Sequence, residues 1–313
     1  MDLHRPRKGS RGFRPRKRAE TQVAEMFWPS REESRVLGFA GYKVGMTTVA
    51  YMDQAGTTTK GQELVGAGTV LEAPPVYVYG VRGYKARKIL GETLSADEAK
   101  LKLLGMKKTK KTELKEDELD DVRLLVFTQP SRTLIGKKHP ERFELALGGK
   151  TAKDKLAFAK TLLGKELRAK DVFKPGEIID VVAITKGKGW QGTVKRFGTS
   201  IQRPKATGKR RHVGTLGQWH PAYVLYTAPQ AGQTGYHKRT ELNKHILKIS
   251  ENVDEINPSG GFPHYGFVKN DFVIVKGSVP GPTKRLVKMR VSARDNGPYQ
   301  ELKLTYLSNE PKQ

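Results

Sequence analysis

The sequence predicts a mainly β fold with α insertions and one long extended basic segment between its strands. Short runs rich in β-branched and aromatic residues, separated by glycine or proline, recur at 36–42, 46–52, 63–72 and 76–81. Residues of this kind favour strands, and many short strands with such breaks are typical of a barrel or a sandwich. Sixty residues without a single acid, 181–240, then interrupt the pattern.

Further strand-like runs lie on both sides of that interruption. They are found at 122–128 and, within 172–184, at 178–184 on one side, and at 245–249, 271–276, 286–291 and 302–307 on the other. A helix is predicted at about 152–163, because four apolar residues recur with helical spacing on one face: Leu156, Ala159, Leu162 and Leu163. Since strands bracket the acid-free stretch, we interpret it as an internal loop of one β domain. Loops of this length are normally functional or disordered.

The block at about 92–121 differs in charge from the rest of the chain. It contains nine acids and seven bases, which makes it net acidic within a strongly basic protein. A helix is expected at 95–104, where Ser95 and Glu98 have the spacing of a capping box. We predict a helical, solvent-facing insertion that lies away from any polyanionic partner.

The overall charge indicates the kind of partner. The chain has 58 Lys and Arg against 32 Asp and Glu, a net charge of +26. This surplus favours a phosphate-rich partner, because counterions are released when cations meet phosphates. An acidic membrane surface is the competing partner, but the sequence has no apolar run of about eighteen residues and no long basic amphipathic helix. We therefore expect nucleic acid and no membrane.

Several kinds of chemistry are excluded by residue type. The chain has no cysteine, hence no disulfide and no zinc site built on cysteine. The basic N-terminus is not followed by an apolar segment, so we expect no signal peptide and a cytoplasmic protein. Histidines in the acid-free stretch are irregularly spaced and lack carboxylates to orient them, which favours packed or RNA-contacting roles over metal binding. Without a Ser-His-Asp group or a carboxylate pair there, we expect no enzyme, cofactor or small-molecule substrate.

The acid-free stretch combines charge with glycine and aromatic residues. It contains eleven Lys or Arg, nine glycines, and the two tryptophans Trp190 and Trp219. Charges of one sign repel each other, so the segment is expected to become ordered only with a polyanion. Trp219 lies among glycines in this basic loop, which favours stacking on an unpaired base. The alternative is that Trp219 packs back onto its own loop.

The first eighteen residues have a similar composition. Eight of them are Lys or Arg, interleaved with proline and glycine, and one, Asp2, is acidic. Such a segment cannot bury a core, so we predict an extended arm that becomes ordered on a polyanion. Arginine is suited to this role because it binds phosphate through two parallel hydrogen bonds. A flexible solubilising tail is the alternative.

Residues 187–192 read G-K-G-W-Q-G and fit two nucleotide-binding patterns. The dinucleotide pattern needs a following helix and an acid, but 193–198 is not expected to begin a helix and the next acid is Glu241. A kinase glycine-rich loop needs H-R-D and D-F-G elements, which are missing. The glycines are therefore interpreted as allowing the backbone to approach phosphates closely, with a ligand-free hairpin turn as the alternative.

Three blocks in this region have a specific order. They are G-K-G-W-Q-G-T-V-K-R-F-G at 187–198, K-R-R-H-V-G-T-L-G-Q-W-H-P at 209–221 and A-G-Q-T-G-Y-H-K-R-T at 231–240. With the basic arm and the strands, they resemble the family of large-subunit ribosomal protein three, in its archaeal and eukaryotic branch, over nearly the whole chain. One departure is A-T-G at 206–208, where related eukaryotic members have a histidine, so no histidine modification is carried over.

The resemblance implies a non-enzymatic constituent of the large ribosomal subunit, the 50S subunit in archaea. It implies a translation-protein-type β-barrel on the outer side of the subunit, with the arm and the loop running inward through 23S-type rRNA towards the peptidyl-transferase centre. Trp219 would be the tip of the loop, and residues 205–212 a neighbouring basic thumb. The family binds near the 3′ end of the rRNA early in assembly, beside large-subunit proteins fourteen and twenty-four-e.

The expected organisation has four parts: a basic arm at 1–30, a first barrel part at 31–185, the extended loop at 186–240 and a second barrel part at 241–313. The residues expected to bind rRNA are Arg5, Arg7, Lys8, Arg11, Arg14, Arg16, Lys17, Arg18, Lys186, Lys188, Trp190, Lys195, Arg196, Arg203, Lys205, Lys209, Arg210, Arg211, His212, Trp219, His220, His237, Lys238 and Arg239. The competing functions are an RNA-modifying enzyme, which would need a cofactor pocket or an acid cluster, and a nonspecific polyanion-binding protein, which would not need Trp219.

Overall fold

The computed structural model describes residues 8–54, 58–106, 114, 118–294 and 302–310. Arg5, Arg7 and part of the insertion expected at 92–121 lie outside the described residues. Strands make up 35% of the structure and helices 12%, which confirms a mainly β protein with few helices. Within the described ranges, no helix is long and apolar enough to cross a membrane.

The described residues form fourteen strands and four α-helices. The strands are β1 (Gly38–Met52), β2 (Glu63–Glu72), β3 (Val76–Lys85), β4 (Lys88–Leu94), β5 (Asp121–Phe127), β6 (Arg142–Ala146), β7 (Glu166–Leu167), β8 (Ile178–Ile184), β9 (Trp190–Gln191), β10 (Gly232–Gln233), β11 (Lys238–Ser250), β12 (Phe272–Lys276), β13 (Leu286–Val291) and β14 (Leu304–Leu307). The helices are α1 (Glu98–Leu103), α2 (Ala152–Leu162), α3 (Ala169–Val172) and α4 (Thr193–Phe197).

Seven strands form the larger sheet, in the order β13-β8-β11-β12-β2-β1-β14. The long strand β1 pairs antiparallel with both β2 and β13, so six of the strands close into a ring. Phe39, Tyr42 and Phe272 are almost completely buried in the core cluster that this sheet shares with its neighbours. Removal of these rings and of the surrounding aliphatic side chains from water provides the main stabilisation of the fold.

The break expected between 36–42 and 46–52 is wrong, because both runs contribute to β1. The register of β1 against β2 shifts between Lys43 and Gly45. A Cβ on Gly45 would lie 3.0 Å from the ring of Phe262. Glycine within a strand often accommodates a bulge or a close neighbour, and here it does so without ending the strand.

A second sheet has the order β4-β3-β5-β6, and β7 pairs with β3. The helix expected at 152–163 is confirmed as α2, with Leu156 and Ala159 buried. Thr151 begins this helix with a capping box, because its hydroxyl accepts from the Asp154 N–H (3.2 Å) while the Asp154 carboxylate accepts from the Thr151 N–H (3.1 Å). The sequence analysis missed β4, β6 and β7.

The helix expected at 95–104 begins later than predicted, so the capping box assigned to Ser95 is wrong. Helix α1 begins at Glu98, and Asp97 caps it by accepting a hydrogen bond from the Lys100 N–H (3.2 Å). The hydroxyl of Ser95 accepts instead from the Asp97 N–H (3.2 Å), which forms a turn ahead of the helix. Aspartate competes well with serine for the cap position, and here it is closer to the helix.

Of the two strands that flank the acid-free stretch, one has its expected bounds and the other begins earlier than expected. The apolar run expected at 178–184 is confirmed as β8, which follows helix α3 (Ala169–Val172). On the far side, β11 begins at Lys238, seven residues before the run predicted at 245–249. Asn243 has a left-handed φ of 55° within β11, and its N–H donates to the buried Asp180 carboxylate (3.1 Å). The run at 286–291 is confirmed as β13.

The chain separates into two compact units. One contains Met1–Thr21 and Ile184–Lys238, and the other contains Gln22–Ala183 and Arg239–Gln313. The second unit holds both large sheets. The first, of which residues 8–21 and 184–238 are described, is called the basic unit below.

Candidate nucleic-acid interface

The basic unit begins and ends in a narrow β-ribbon. The N–H of Thr185 donates to the carbonyl oxygen of His237 (3.0 Å), and the N–H of Lys188 donates to that of Thr234 (2.9 Å). Strands β9 and β10 continue the pairing. The G-K-G-W-Q-G motif at 187–192 therefore lies in the ribbon. Because a protein carbonyl already occupies its Lys188 N–H, the geometry favours the hairpin interpretation of this motif over a backbone cradle for phosphate.

Gly235 is the point of closest approach in the ribbon. Its φ is 70°, and a Cβ at this position would overlap the carbonyl oxygen of Lys186. Tyr236 follows with a left-handed φ of 54°, so two successive residues adopt a conformation that L-residues other than glycine rarely take. The G-Y pair of the A-G-Q-T-G-Y-H-K-R-T block thus turns the chain back beside Lys186.

The expectation that 193–198 does not begin a helix is wrong, because this stretch contains α4. Gly192 lies at its N-cap, and Gly198 ends it after five residues with a left-handed φ of 65°. A glycine at this position stops a helix without the steric cost that a side chain would bring. Phe197 is buried, so the helix forms part of the interior of the basic unit.

The N-terminal arm contacts the acid-free stretch along its length. The N–H of Ala19 donates to the carbonyl oxygen of Tyr236 (2.9 Å), and Nδ1 of His237 is 3.0 Å from the carbonyl oxygen of Lys17. Nη1 of Arg14 donates to the carbonyl oxygen of Tyr226 (2.9 Å). The sequence analysis treated arm and loop as separate parts, because hydrogen bonds between distant backbone groups leave no signal in composition.

Arginine side chains in this unit use carbonyl oxygens as acceptors, since carboxylates are scarce. Glu20 is the one acid among the described residues of the unit. Arg196 donates to the carbonyl oxygens of Gln230 (2.9 Å) and Gln233 (3.1 Å). Burial, and then the charge of Arg14, lower the pKa of Arg196. Arg196 therefore holds the unit together more than it presents charge to solvent.

Phe197 lies against two guanidinium groups. The guanidinium carbon of Arg16 is 4.5 Å from the centre of its ring, and that of Arg196 is 5.2 Å from it. Contacts of this kind attract through the negative face of the ring, and more strongly when water is partly excluded. The side chain of Arg16 also donates to the carbonyl oxygen of Ser10 (2.8 Å), which fixes the local course of the arm.

The remaining cations expected to bind RNA are distributed between the surface and partly buried positions. Exposed are Arg11, Lys17, Arg18, Lys186, Lys188, Lys195, Arg203, Lys205, Lys209, Arg210, Arg211, His212, His220 and Lys238. Half-buried are Lys8, Arg14, Arg16, Arg196, His237 and Arg239. The first set presents positive charge to solvent with Glu20 as the one carboxylate in the described part of the unit.

Large aromatic side chains are exposed in the same unit. Trp219 is 88% exposed and Trp190 is 76% exposed, so the alternative in which Trp219 packs back onto its own loop is contradicted. Tyr223 and Tyr226 are 68% and 73% exposed, and the sequence analysis missed both. The run P-A-Y-V-L-Y at 221–226 is the signal that could have found them, because a highly charged, glycine-rich stretch has little interior in which to bury so many apolar residues.

The described residues contain no group of three or more His, Asp or Glu side chains that could hold a metal ion. His212 has its Nδ1 3.0 Å from the carbonyl oxygen of Val213, and His237 contacts the arm as described above. These two histidines make backbone contacts within the basic unit.

A mainly β chain whose basic unit presents cations and indole rings to solvent is typical of proteins that assemble with nucleic acid. The comparison with known families is specific. The chain belongs to the ribosomal protein L3 family, whose model matches residues 1–103 and 95–313. It is therefore a protein of the large ribosomal subunit, as the resemblance of its three sequence blocks implied.

Archaeal relatives match the chain from end to end. A protein of Methanobrevibacter smithii is 45% identical over 330 residues, covering 99% of this chain and 98% of the relative. One of Methanothermobacter thermautotrophicus is 45% identical over 331 residues, with the same coverage. One of Methanocaldococcus jannaschii is 42% identical over 332 residues, covering 100% of this chain and 99% of the relative. Each is named large ribosomal subunit protein uL3, which confirms the archaeal branch of the family.

Proposed function

We propose that this protein is a structural constituent of the large ribosomal subunit that binds 23S-type rRNA through its basic unit. It binds near the 3′ end of the rRNA, helps to nucleate assembly, and extends residues 186–240 towards the peptidyl-transferase centre. The observation that carries the proposal is the pairing of an acid-free stretch with the exposure of its side chains. Sixty residues contain eleven Lys or Arg and no acid, and Trp219 near their middle is 88% exposed.

Charge supplies the affinity in this proposal. The exposed cations of the basic unit each neutralise a phosphate and release counterions, whereas carbonyl-bonded arginines such as Arg196 keep the unit in shape. The run Lys209, Arg210 and Arg211 is exposed throughout and belongs to the proposed basic thumb at 205–212. Contacts between such cations and the phosphates of the RNA backbone position the protein on the RNA, but they do not read the RNA sequence.

Aromatic side chains supply the fit to one place on the RNA. Single-stranded turns and bulges present unstacked bases, and aromatic rings stack on them. Trp219 and Trp190 are the largest aromatic side chains of the basic unit, and both are more exposed than its exposed tyrosines, Tyr223 and Tyr226. The apolar area of an indole contributes to binding when it is removed from water, and stacking on an unpaired base would remove it.

The rest of the chain forms the folded β domain of the protein. The ring of six strands supports a translation-protein-type β-barrel made of residues 31–185 and 241–313, with 1–30 as the arm and 186–240 as the extended loop. Large-subunit proteins fourteen and twenty-four-e are the proposed protein neighbours, on the basis of the family. No metal, cofactor or small substrate takes part in the proposed function.

Hydroxyl-radical footprinting of the full chain on large-subunit rRNA fragments tests the proposal. The expected result is a bounded footprint on the fragment that contains the 3′ end, including protected nucleotides in single-stranded turns. Uniform protection of every fragment would instead indicate a nonspecific polyanion-binding protein. A chemically altered nucleotide in the recovered RNA would indicate an RNA-modifying enzyme. Either of these two outcomes would contradict the proposed function.

A further inference from the structure

The guanidinium group of Arg14 has one occupied and one unoccupied edge. Its Nη1 donates to the carbonyl oxygen of Tyr226 (2.9 Å), and its guanidinium carbon is 5.1 Å from the centre of the Tyr226 ring. Its Nε and Nη2 are shielded from solvent and have no hydrogen-bond partner among the described residues. Buried donors without an acceptor are costly, and most such groups in folded proteins are satisfied.

The unoccupied edge is the one that binds oxyanions. Nε–H and Nη2–H point in parallel, so a single phosphate or carboxylate accepts both hydrogen bonds at once. Phosphate matches this geometry and carries the charge that the surroundings lack. Glu20, the one described acid of the basic unit, forms no ion pair with Arg14 within the described ranges.

The surroundings of Arg14 are cationic. Arg196 is near enough for the charge of Arg14 to contribute to the lowering of its pKa. Arg16 and Arg196 in turn contact the ring of Phe197 from 4.5 and 5.2 Å. Three guanidinium groups are thus gathered where the arm meets the loop, and their contacts include backbone carbonyl oxygens and aromatic rings. Like charges in such proximity attract an anion.

The edge lies close beneath the surface of the unit. Phe13 and Pro15, which flank Arg14 in the chain, are exposed, and Tyr226, on which the guanidinium rests, is 73% exposed. Admission of a small anion requires movement of surface side chains such as those of Phe13 and Tyr226, and exposed side chains change rotamer in nanoseconds or less.

We propose that Arg14 binds one phosphate group through Nε and Nη2 and that this phosphate joins the N-terminal arm to the loop at Tyr226. The inference rests on the proposed function, since an rRNA backbone is the natural source of such a phosphate, and a free inorganic phosphate is the other source. It adds a structural role to the charge: the bound phosphate completes the contact between arm and loop in addition to contributing affinity.

Hydrogen–deuterium exchange of the full chain, in sodium phosphate or with hexauridylate at constant ionic strength set by chloride, tests the inference. We expect at least one of these phosphate sources to slow exchange in residues 8–19 about tenfold, the effect of satisfying a charged hydrogen-bond pair. Protection by both would indicate a site open to free phosphate, and protection by hexauridylate alone would identify a polynucleotide backbone. Both results support the phosphate site.

Three variants make the test specific. Arg14→Lys keeps the charge but cannot form the bidentate pair, so it should lose most of the protection, as should Arg14→Ala. Lys138→Ala removes an exposed cation outside the basic unit and should keep it. The inference would be overturned if Arg14→Lys and the parent chain were equally protected from exchange. It would also be overturned if neither phosphate source gave protection while the rRNA footprints persisted. Neither outcome would contradict the proposed function. If the phosphate sources still slowed hydrogen exchange but no rRNA footprint formed, the proposed function would be contradicted instead.

Discussion

Gly235 lies directly against the peptide carbonyl of Lys186. A Cβ on Gly235 would overlap the carbonyl oxygen and lie 3.1 Å from the carbonyl carbon, and the φ of Gly235 is 70°. Space and backbone conformation therefore both require glycine at this position. The contact lies in the ribbon that joins the two ends of the segment between residues 186 and 235.

Gly235→Ala is expected to destabilise the basic unit by about 2–4 kcal/mol, because left-handed strain and the overlap with Lys186 act together. Hydrogen exchange should accelerate in residues 185–189 and 232–237 while the sheets of the other unit keep their protection. Gly217→Ala is the matched control, since a Cβ there meets nothing within 4 Å. Equal behaviour of the two variants would show that the close approach is unimportant.

Lys195 and Arg196 are neighbours in α4 with different roles. Arg196→Ala removes hydrogen bonds to two carbonyl oxygens and the contact with Phe197, so it should cost about 2 kcal/mol of unfolding free energy. Lys195→Ala, at an exposed position, should change that free energy by less than about 0.5 kcal/mol. Urea unfolding measures both. A loss of stability in Lys195→Ala that matches Arg196→Ala would contradict the division into structural and surface cations.

Trp219→Ala should weaken binding to the footprinted rRNA fragment by about 1–3 kcal/mol, the effect of losing one stacked base. The free energy of unfolding should barely change, because the side chain is 88% exposed. Phe267→Ala removes a partly exposed aromatic side chain (44%) outside the basic unit and should leave the affinity unchanged. Undiminished affinity in Trp219→Ala would favour the nonspecific polyanion-binding alternative.

The two ends of the loop lie side by side, since the Thr185 N–H donates to the His237 carbonyl oxygen. Replacing residues 186–237 by Asn-Gly should therefore connect β8 and β11 through a short hairpin turn. Shortening a loop has a small entropic effect, so circular dichroism should still show a folded, mainly β protein. Loss of the β signal would show that the basic unit is required for the core to fold.

His245 gives the fold a pH dependence. Burial, and then the charge of Lys276, lower its pKa, and its Nδ1 is buried without a partner among the described residues. The unfolded chain, with a histidine pKa of about 6.5, thus binds the proton more readily than the folded chain. The stability of the folded chain that depends on a neutral His245 is therefore fully present above about pH 6.5. It is lost as the pH falls below that value, because the unfolded chain takes up the proton first. His245→Gln should flatten the unfolding free energy between pH 7.5 and 5.5.

The control for this measurement is His139→Gln, at an exposed position. It should leave the pH dependence of the parent chain in place. Equal slopes in the parent chain and in His245→Gln would show that another group sets the pH dependence.

Composition and periodicity predicted some regular elements of the core. Strand β13 lies where the run Leu286–Val291 was expected to form a strand, and helix α2 lies where Leu156 and Ala159 recur with helical spacing. The same reasoning failed at Gly45 and at α4. Gly45 was interpreted as a break between strands, whereas it lies against a neighbouring ring within one strand. At 193–198 no helix was expected, whereas glycines lie at both ends of α4.

The candidate site was predicted in outline and not in detail. The absence of acids and the positions of Trp190 and Trp219 are visible in the sequence. The separation of Arg196 from Lys195 is not, because it depends on carbonyl oxygens of Gln230 and Gln233 that come near only in the folded chain. For the same reason, the sequence could not show that the arm and the loop belong to one unit.

The salt dependence of rRNA binding tests the central claim most directly. If about ten cations of the basic unit contact phosphates, the plot of log affinity against log salt should have a slope of about −7 to −9. Replacing Lys209, Arg210 and Arg211 by alanine should reduce the steepness by about 2 to 3. A slope shallower than about −3 in the parent chain, or one unchanged by the triple replacement, would contradict the claim that unneutralised charge on this unit holds the protein on RNA.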